Sequence, residues 1–353
     1  MKKTIIVTGG AGFIGSNLVH LLYKSDKYRI INMDALTYAG NLNSLKSLDD
    51  ASKYVFEKCD VADKEALFAL FDKYQPEGVF HLAAESHVDR SIDGPGQFMV
   101  TNIMGTYNML EATRRHLASL SDTKKQQFRF LHISTDEVFG SLGKEGYFTE
   151  TTPYDPRSPY SSSKASSDHL VRAWFHTFGL PVLITNCSNN YGPYQFPEKL
   201  IPVVILKCLS EEQIPVYGKG DNVRDWLYVE DHAHALITVF EKGTIGETYN
   251  VGGNTEKQNI EIVRTICTIL DEMVKPRSVK KREELITFVK DRPGHDQRYA
   301  IDATKIKKEL GWSPQTRFEE GIRSTVKWYI DNEKWWRDIL SGDYKLERLG
   351  QID

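Results

Sequence analysis

The sequence predicts an α/β fold: a doubly wound parallel sheet followed by a smaller carboxyl-terminal α/β domain that binds substrate. Three observations predict it. Short apolar runs alternate with helical patterns as far as residue 190, which is the arrangement that builds a parallel sheet. A glycine cluster, Gly9-Gly10-Ala11-Gly12-Phe13-Ile14-Gly15, stands directly between the first apolar run and the first helical pattern. Beyond Asn189 the alternation gives way to loops, among them residues 193–202, 215–218 and 222–226.

The chain has 353 residues, enough for one large or two medium domains. Hydrophobic content of 40% and charged content of 26% are those of a soluble globular protein. A net charge of −3 gives no footing for nucleic acid or an anionic membrane surface. Cys59, Cys187, Cys208 and Cys267 lie far apart, so neither a disulfide framework nor a metal site is expected. A reducing, cytoplasmic setting fits that usage. Glycines interrupt the apolar run after Lys2-Lys3 too early for a signal peptide, and no apolar stretch is long enough to span a bilayer.

Taken in order, Thr4-Ile5-Ile6-Val7-Thr8 reads as a buried strand, and the glycines that follow open a helix. They read as G-x-x-G-x-x-G from Gly9 or as G-x-G-x-x-G from Gly10. Either way, glycine makes the tight turn and lets backbone N–H groups approach a pyrophosphate at a helix N-terminus, as in a Rossmann-type sheet. Residues 28–34 form a second strand ending in Asp34, at the spacing expected of a ribose-binding carboxylate. Such a carboxylate accepts from both ribose hydroxyls and repels a 2′-phosphate, so NAD is favoured over NADP. The plainer reading of Asp34 is a helix or turn cap. Asp60-Val61 end a third strand-like segment and can hold the adenine. Residues 79–84 are another buried strand, with Glu85-Ser86-His87 at its end; His81 and His87 read as packing residues. Residues 98–116 read as one long helix and 119–127 as a surface loop.

Phe130-Leu131-His132-Ile133 is a further buried strand, and Ser134-Thr135-Asp136-Glu137-Val138-Phe139-Gly140 ends it. This delivers a hydroxyl and two carboxylates to the carboxyl end of the sheet, where ligands of open α/β folds bind. Adjacent carboxylates point in different directions and can do different jobs; alone, they also read as a solvated turn. A proline-broken loop, 153–159, precedes Tyr160-Ser161-Ser162-Ser163-Lys164, which opens a helix running to about residue 178. Tyr160 and Lys164 share a helical face, where an ammonium favours the phenolate. Residues 181–187 are another strand, and 226–250 return to the sheet. Arg224, Arg292 and Arg298 with neighbouring backbone amides suit either a diphosphate or inter-loop salt bridges. Residues 273–284 read as a solvated charged face; Trp328-Tyr329 and Trp335-Trp336 carry no assignment beyond packing. Residues 1–190, with 226–250, are thus expected to bind NAD, and 191–353 mainly the substrate.

With these blocks in view, the chain resembles the extended short-chain dehydrogenases/reductases over residues 1 to about 330, and within them the dTDP-glucose 4,6-dehydratase family. The glycine loop, Asp34-Ala35-Leu36-Thr37-Tyr38-Ala39-Gly40-Asn41, His81-Leu82-Ala83-Ala84-Glu85-Ser86-His87-Val88-Asp89-Arg90-Ser91, residues 134–140, Tyr160 with Lys164, residues 186–193, Arg224-Asp225-Trp226 and residues 291–296 carry the resemblance. The family often has Tyr where this chain has Phe139. The resemblance implies a hydro-lyase with tightly held NAD, a nucleotide-sugar substrate, a place in rhamnose-type deoxysugar synthesis, and a homodimer formed through helices 98–116 and 164–178. It implies Thr135, Asp136, Glu137, Tyr160 and Lys164 as catalytic residues. It implies NAD contacts from Gly9, Gly12, Phe13, Ile14, Gly15, Asp34, Leu36, Thr37, Asp60, Val61, Leu82, Ala83, Ala84, Thr101, Tyr160, Lys164 and Asn190. It implies substrate contacts from Ser86, Thr135, Asn189, Lys199, Leu200, Pro215, Tyr217, Arg224, Asn259, Arg292 and His295. A UDP-sugar 4-epimerase or UDP-glucuronate decarboxylase would share the NAD site and the Tyr/Lys pair. An epimerase has no use for the acids at 136 and 137. A non-enzymatic dinucleotide sensor would need none of the catalytic set.

Overall fold

The structure, a computed structural model, describes residues 2–291 and 295–341. Its strands in chain order are β1 (Lys3–Thr8), β2 (Tyr28–Asp34), β3 (Tyr54–Lys58), β4 (Gly78–His81), β5 (Arg129–Thr135), β6 (Val182–Cys187), β7 (Asn189–Tyr191), β8 (Ile214–Tyr217), β9 (Val223–Tyr228), β10 (Thr248–Val251), β11 (Glu256–Gln258) and β12 (Ile286–Val289). Seven of them form a parallel sheet in the order β10-β6-β5-β4-β1-β2-β3. Its strands are continuous apolar runs because helices cover both faces: Ile5, Ile6, Val7, Ile30 and Ile31 are all fully buried. Chain order reverses between β1 and β4, and a crevice opens at that point beyond the strand ends.

The Pro159–Phe178 helix shows how the sequence sets its own boundaries. Ser158 and Ser161 form a reciprocal capping box, Pro159 occupies the first turn, and Gly179 ends the helix at φ 68°. The Val229–Lys242 helix packs its Ala233, Leu236, Val239 and Phe240 into the core beneath the large sheet. Two small sheets, β11-β9-β7 and β12-β8, and the helices Leu200–Ser210, Asn259–Met273 and Phe318–Asp331 build a second core around Ile205, Ile266 and Trp226.

Several elements differ from the sequence reading. The single helix expected at 98–116 is Pro95–Phe98, a π-helical turn over Met99–Met104, and Gly105–Ala118. The wide turn points Thr101 at the crevice, a common use of π-helical insertions. The stretch 119–127 contains a short helix, Asp122–Gln127. The charged segment 273–284 is not wholly solvated. Arg282 is 1% exposed, donating to Asp271 Oδ1 at 2.8 Å and to the carbonyls of Val274 and Cys208. The tail aromatics close a seam between the two cores. Trp335 Nε1 donates to Ser44 Oγ at 3.1 Å, and the Tyr194 ring lies 4.9 Å from that of Trp328 and 5.7 Å from that of His20.

Candidate active site

The crevice at the switch point continues into a cavity of about 360 Å³. Its first wall is the glycine loop. Gly9 has φ 69°, and a Cβ there would sit 2.8 Å from the Ala83 amide nitrogen. A Cβ on Gly15 would fall 2.1 Å from the Gly9 carbonyl oxygen. Only glycine lets the end of β1, the end of β4 and the Phe13–Ser25 helix meet this closely. At the tip of β2, Asp34 accepts the Ala11 amide at 2.9 Å and the Leu36 amide at 2.8 Å. Burial pushes this carboxyl upward, and the two amides pull it back. A carboxylate so fixed, beside Thr37, Asp60 and Val61, suits the ribose and adenine half of a dinucleotide.

Among the residues expected to hold the cofactor, Gly9, Gly12, Phe13, Ile14, Gly15, Asp34, Thr37, Asp60, Val61, Leu82, Ala83, Ala84, Thr101, Tyr160, Lys164 and Asn190 all line this cavity. Leu36 does not. Its left-handed backbone, φ 54°, turns its amide to Asp34 and leaves its side chain against the core.

Thr135, Asp136, Glu137, Tyr160 and Lys164 line the inner end of the same cavity. Strand β5 ends at Thr135, and the chain turns at once into a one-turn helix, Asp136–Phe139. Asp136 is 2% exposed, and its Oδ2 has no hydrogen-bond partner. Burial, then the charges of Glu137 and Asp225, hold its carboxyl well above the usual range and so favour the protonated acid. Glu137 is only partly buried. Two adjacent acids therefore meet unequal surroundings. Lys164 is buried, and its Nζ donates to the Ile133 carbonyl at 2.8 Å. Tyr160 departs from the sequence expectation. Burial, followed by Glu137 and Cys187, holds its phenol well above the ordinary range, and only a hydrogen bond with Thr135 opposes them. Within the protein, desolvation is the largest influence on this phenol.

The residues expected to hold substrate divide into two groups. Ser86, Thr135, Asn189, Lys199 and Leu200 line the cavity, and Lys199 Nζ donates to the Ser86 carbonyl at 2.8 Å. Pro215, Tyr217, Arg224, Asn259 and His295 do not line it. They sit on β8, on β9, at the start of the Asn259–Met273 helix and on the facing loop. There Arg224 donates to the carbonyls of Val223 and Asp296 at 2.8 and 2.9 Å and stacks 4.2 Å above Tyr299. Tyr217 donates to Asp89, and His295 Nδ1 lies 2.6 Å from Asp291 Oδ1. Asn259 Oδ1 is buried without a partner. Arg292 lies outside the described residues.

Other residues of the site went unread in the sequence. Asn102 accepts the Glu85 amide at 2.8 Å and donates to Ser163 Oγ at 2.8 Å, tying the β4 loop to the tyrosine helix. Glu198 lines the cavity and accepts from Arg90 and Tyr38 at 2.9 and 3.2 Å. An acid beside Lys199 was the only signal for it. His81 is locked between Thr8 and Thr106, and His87 caps the Val88–Asp93 helix. Among the described residues no group of three or more His, Cys, Asp or Glu side chains is placed to hold a metal, and no helix is long and apolar enough to cross a membrane.

Comparison with known proteins sharpens this picture. Residues 6–325 match the model of a family described as GDP-mannose 4,6 dehydratase. The chain is 57% identical over 353 residues to a dTDP-glucose 4,6-dehydratase of Neisseria meningitidis serogroup B, covering 99% of each chain. The structure superposes with a TM-score of 0.84 on a dTDP-glucose 4,6-dehydratase of Bacillus anthracis solved with NAD, at 46% identity over 96% of this chain and 99% of that one. It superposes at 0.86 on a dTDP-glucose 4,6-dehydratase of Streptomyces venezuelae solved with NAD and a second ligand, at 40% identity over 95% and 99%. The chain belongs to the GDP-mannose 4,6 dehydratase family and, within it, to the dTDP-glucose 4,6-dehydratases.

Proposed function

We propose that this chain converts dTDP-glucose to dTDP-4-dehydro-6-deoxyglucose, using NAD within a single turnover. One observation carries the reading. Two adjacent acids, Asp136 buried with its carboxyl pushed upward and Glu137 partly exposed, share a cavity with Tyr160 and Lys164. NAD, when bound, accepts hydride from C4 and returns it to C6, and its positive ring favours the Tyr160 phenolate. Tyr160 takes the proton of the 4-hydroxyl while Thr135 donates a hydrogen bond to O4. The resulting ketone acidifies the C5 proton, which Glu137 removes. Asp136 gives its proton to the 6-hydroxyl, which leaves as water. Glu137 then returns its proton to C5. The opposite protonation states this demands follow from unequal burial and like-charge repulsion.

The second group, Tyr217, Arg224, Asn259 and His295 with Arg292, is read as the nucleotide diphosphate side, entered as the sugar fills the cavity. Residues 1–190 with 226–250 are read as the NAD half and 191–353 as mainly the sugar-nucleotide half. We read the active form as a homodimer. Val100 and Met104, one helical turn apart, are 45% and 50% exposed, and Phe178 at the end of the second helix is 49% exposed. A cytoplasmic role in rhamnose-type deoxysugar synthesis fits the product. Incubation with dTDP-glucose followed by mass spectrometry tests the reading: loss of one water supports it, and epimerised sugar of unchanged mass contradicts it.

A further inference from the structure

Asp168 lies one turn beyond Lys164 on the same helix and is fully buried behind the catalytic residues. It takes no part in the steps above. Ser134 Oγ donates to its Oδ2 at 2.9 Å, Tyr154 OH donates to the same oxygen at 2.8 Å, and Asn186 Nδ2 reaches it at 3.4 Å. His132 Nε2 stands 3.1 Å from Oδ1. Three elements besides its own helix thus converge on one carboxylate: β5 through Ser134 and His132, β6 through Asn186, and the 153–159 loop through Tyr154. Building three donors around one oxygen of a buried acid, with His132 beside the other, is costly unless the anion is needed.

Resting on the reading of Tyr160 and Lys164 given above, we propose that Asp168 is a positioning residue: its carboxylate is the buried counter-charge to the Lys164 ammonium, set one helical turn away and held by the β5 residues that flank the Ile133 carbonyl to which Lys164 donates. Among the described residues the only acceptor on Lys164 is the neutral Ile133 carbonyl, which cannot balance a charge inside the sheet. Burial alone draws the lysine down, and Asp168 is the leading influence holding it up. The donors around Asp168 hold it below the ordinary carboxylate range against its own desolvation, so it is an anion at neutral pH. His132 cannot supply the balance, since burial and Lys164 push it down to about 4 and leave it neutral. Arg172, on the same helix, is directed instead to Tyr154 OH at 3.0 Å and Thr248 Oγ1 at 3.2 Å. Cys187 also faces Lys164, but its thiol is pushed up to about 12 and is uncharged. His81 faces His132 from β4 at 5.4 Å between rings and is likewise neutral. Asp136, Glu137 and Tyr160 lie on the substrate side.

The test uses the holoenzyme in an Asp136→Asn background, in which loss of water is blocked and reduced nicotinamide builds up on the enzyme. Its rate of appearance is followed against pH, with and without Asp168→Asn. The expected result is a basic limb moved about one pH unit or more toward acid, as removal of a buried opposite charge one helical turn away predicts. A uniform fall at all pH with an unmoved limb would make Asp168 a structural residue and overturn the proposal. If Asp136→Asn alone produces no reduced nicotinamide, the reading of Asp136 fails first, separately from Asp168. A second measurement needs no turnover. Thermal melts of Lys164→Met, Asp168→Asn and the double variant form a cycle in which the double variant is expected to be more stable than the sum of the singles, because neither charge is left alone. Additive losses, or failure of Asp168→Asn to fold even beside Lys164→Met, would contradict the pairing.

Discussion

The Thr135 hydroxyl donates to Asp136 Oδ1 across 3.3 Å. Thr135 Oγ1 in turn accepts the Glu137 amide at 3.2 Å and so fixes the turn that separates the two acids. Directly after the strand ends, the chain has placed two carboxyls at the cavity, the first buried and the second partly exposed. The other oxygen of Asp136, Oδ2, is buried without a hydrogen-bond partner.

Replacing Asp136 with Asn removes the proton donor but keeps the shape. Water loss is expected to fall about 10²–10⁴-fold, the usual worth of a general acid. Oxidation at C4 continues, so enzyme-bound reduced nicotinamide accumulates in an absorbance trace.

The pH dependence follows from the same group. Asp136 must be protonated to act, and its carboxyl is held well above the usual range. Activity is therefore present below that raised value and lost as pH rises through it. Glu137→Gln removes one of the charges that raise it, so the carboxyl of Asp136 moves down. That variant is also expected to stop proton removal at C5 while leaving NAD binding intact, which a fluorescence titration with NAD and solvent-deuterium exchange at C5 would read separately.

Asp34 is expected to set cofactor choice. Each oxygen of its carboxylate is held by one backbone amide, Ala11 on Oδ2 and Leu36 on Oδ1, and the group lines the cavity. Asp34→Ala should weaken NAD about tenfold or more, since a hydrogen bond to a charged group is worth about 1.5–3 kcal/mol. NADP binding should improve over the same series, measured by equilibrium titration.

The seam of tail aromatics makes a stability prediction. Trp335 is 9% exposed and spans from the last described helix to Ser44 in the short helical turn Leu42–Leu45. Trp335→Ala is expected to cost about 3–5 kcal/mol in denaturant unfolding.

How much of this was legible before the structure depends on the kind of signal. The seven-stranded sheet showed in runs such as Ile5-Ile6-Val7 and Phe130-Leu131, because a strand covered on both faces must be apolar throughout. The glycine loop showed because Gly9 and Gly15 have no substitute at their contact distances. The π-helical turn at Met99–Met104 did not show, since one extra residue in a turn barely disturbs the apolar spacing. Arg282 read as solvated because a charge run looks the same whether its partners are water or Asp271. The Asp168 cluster was hidden for a related reason: Ser134, Tyr154, Asn186 and Asp168 are distant in sequence and meet only through the sheet register. The separation of Arg224, Tyr217 and His295 from the cavity depends on how the small sheets sit, which no local pattern encodes.

The most direct test of the central claim is a single-turnover reaction of the NAD-loaded protein with dTDP-glucose deuterated at C4. Shared labour between Asp136 and Glu137 predicts a product lighter by one water that carries the deuterium at C6, with no reduced nicotinamide released. Deuterium retained at C4, or lost to free reduced cofactor, would contradict it.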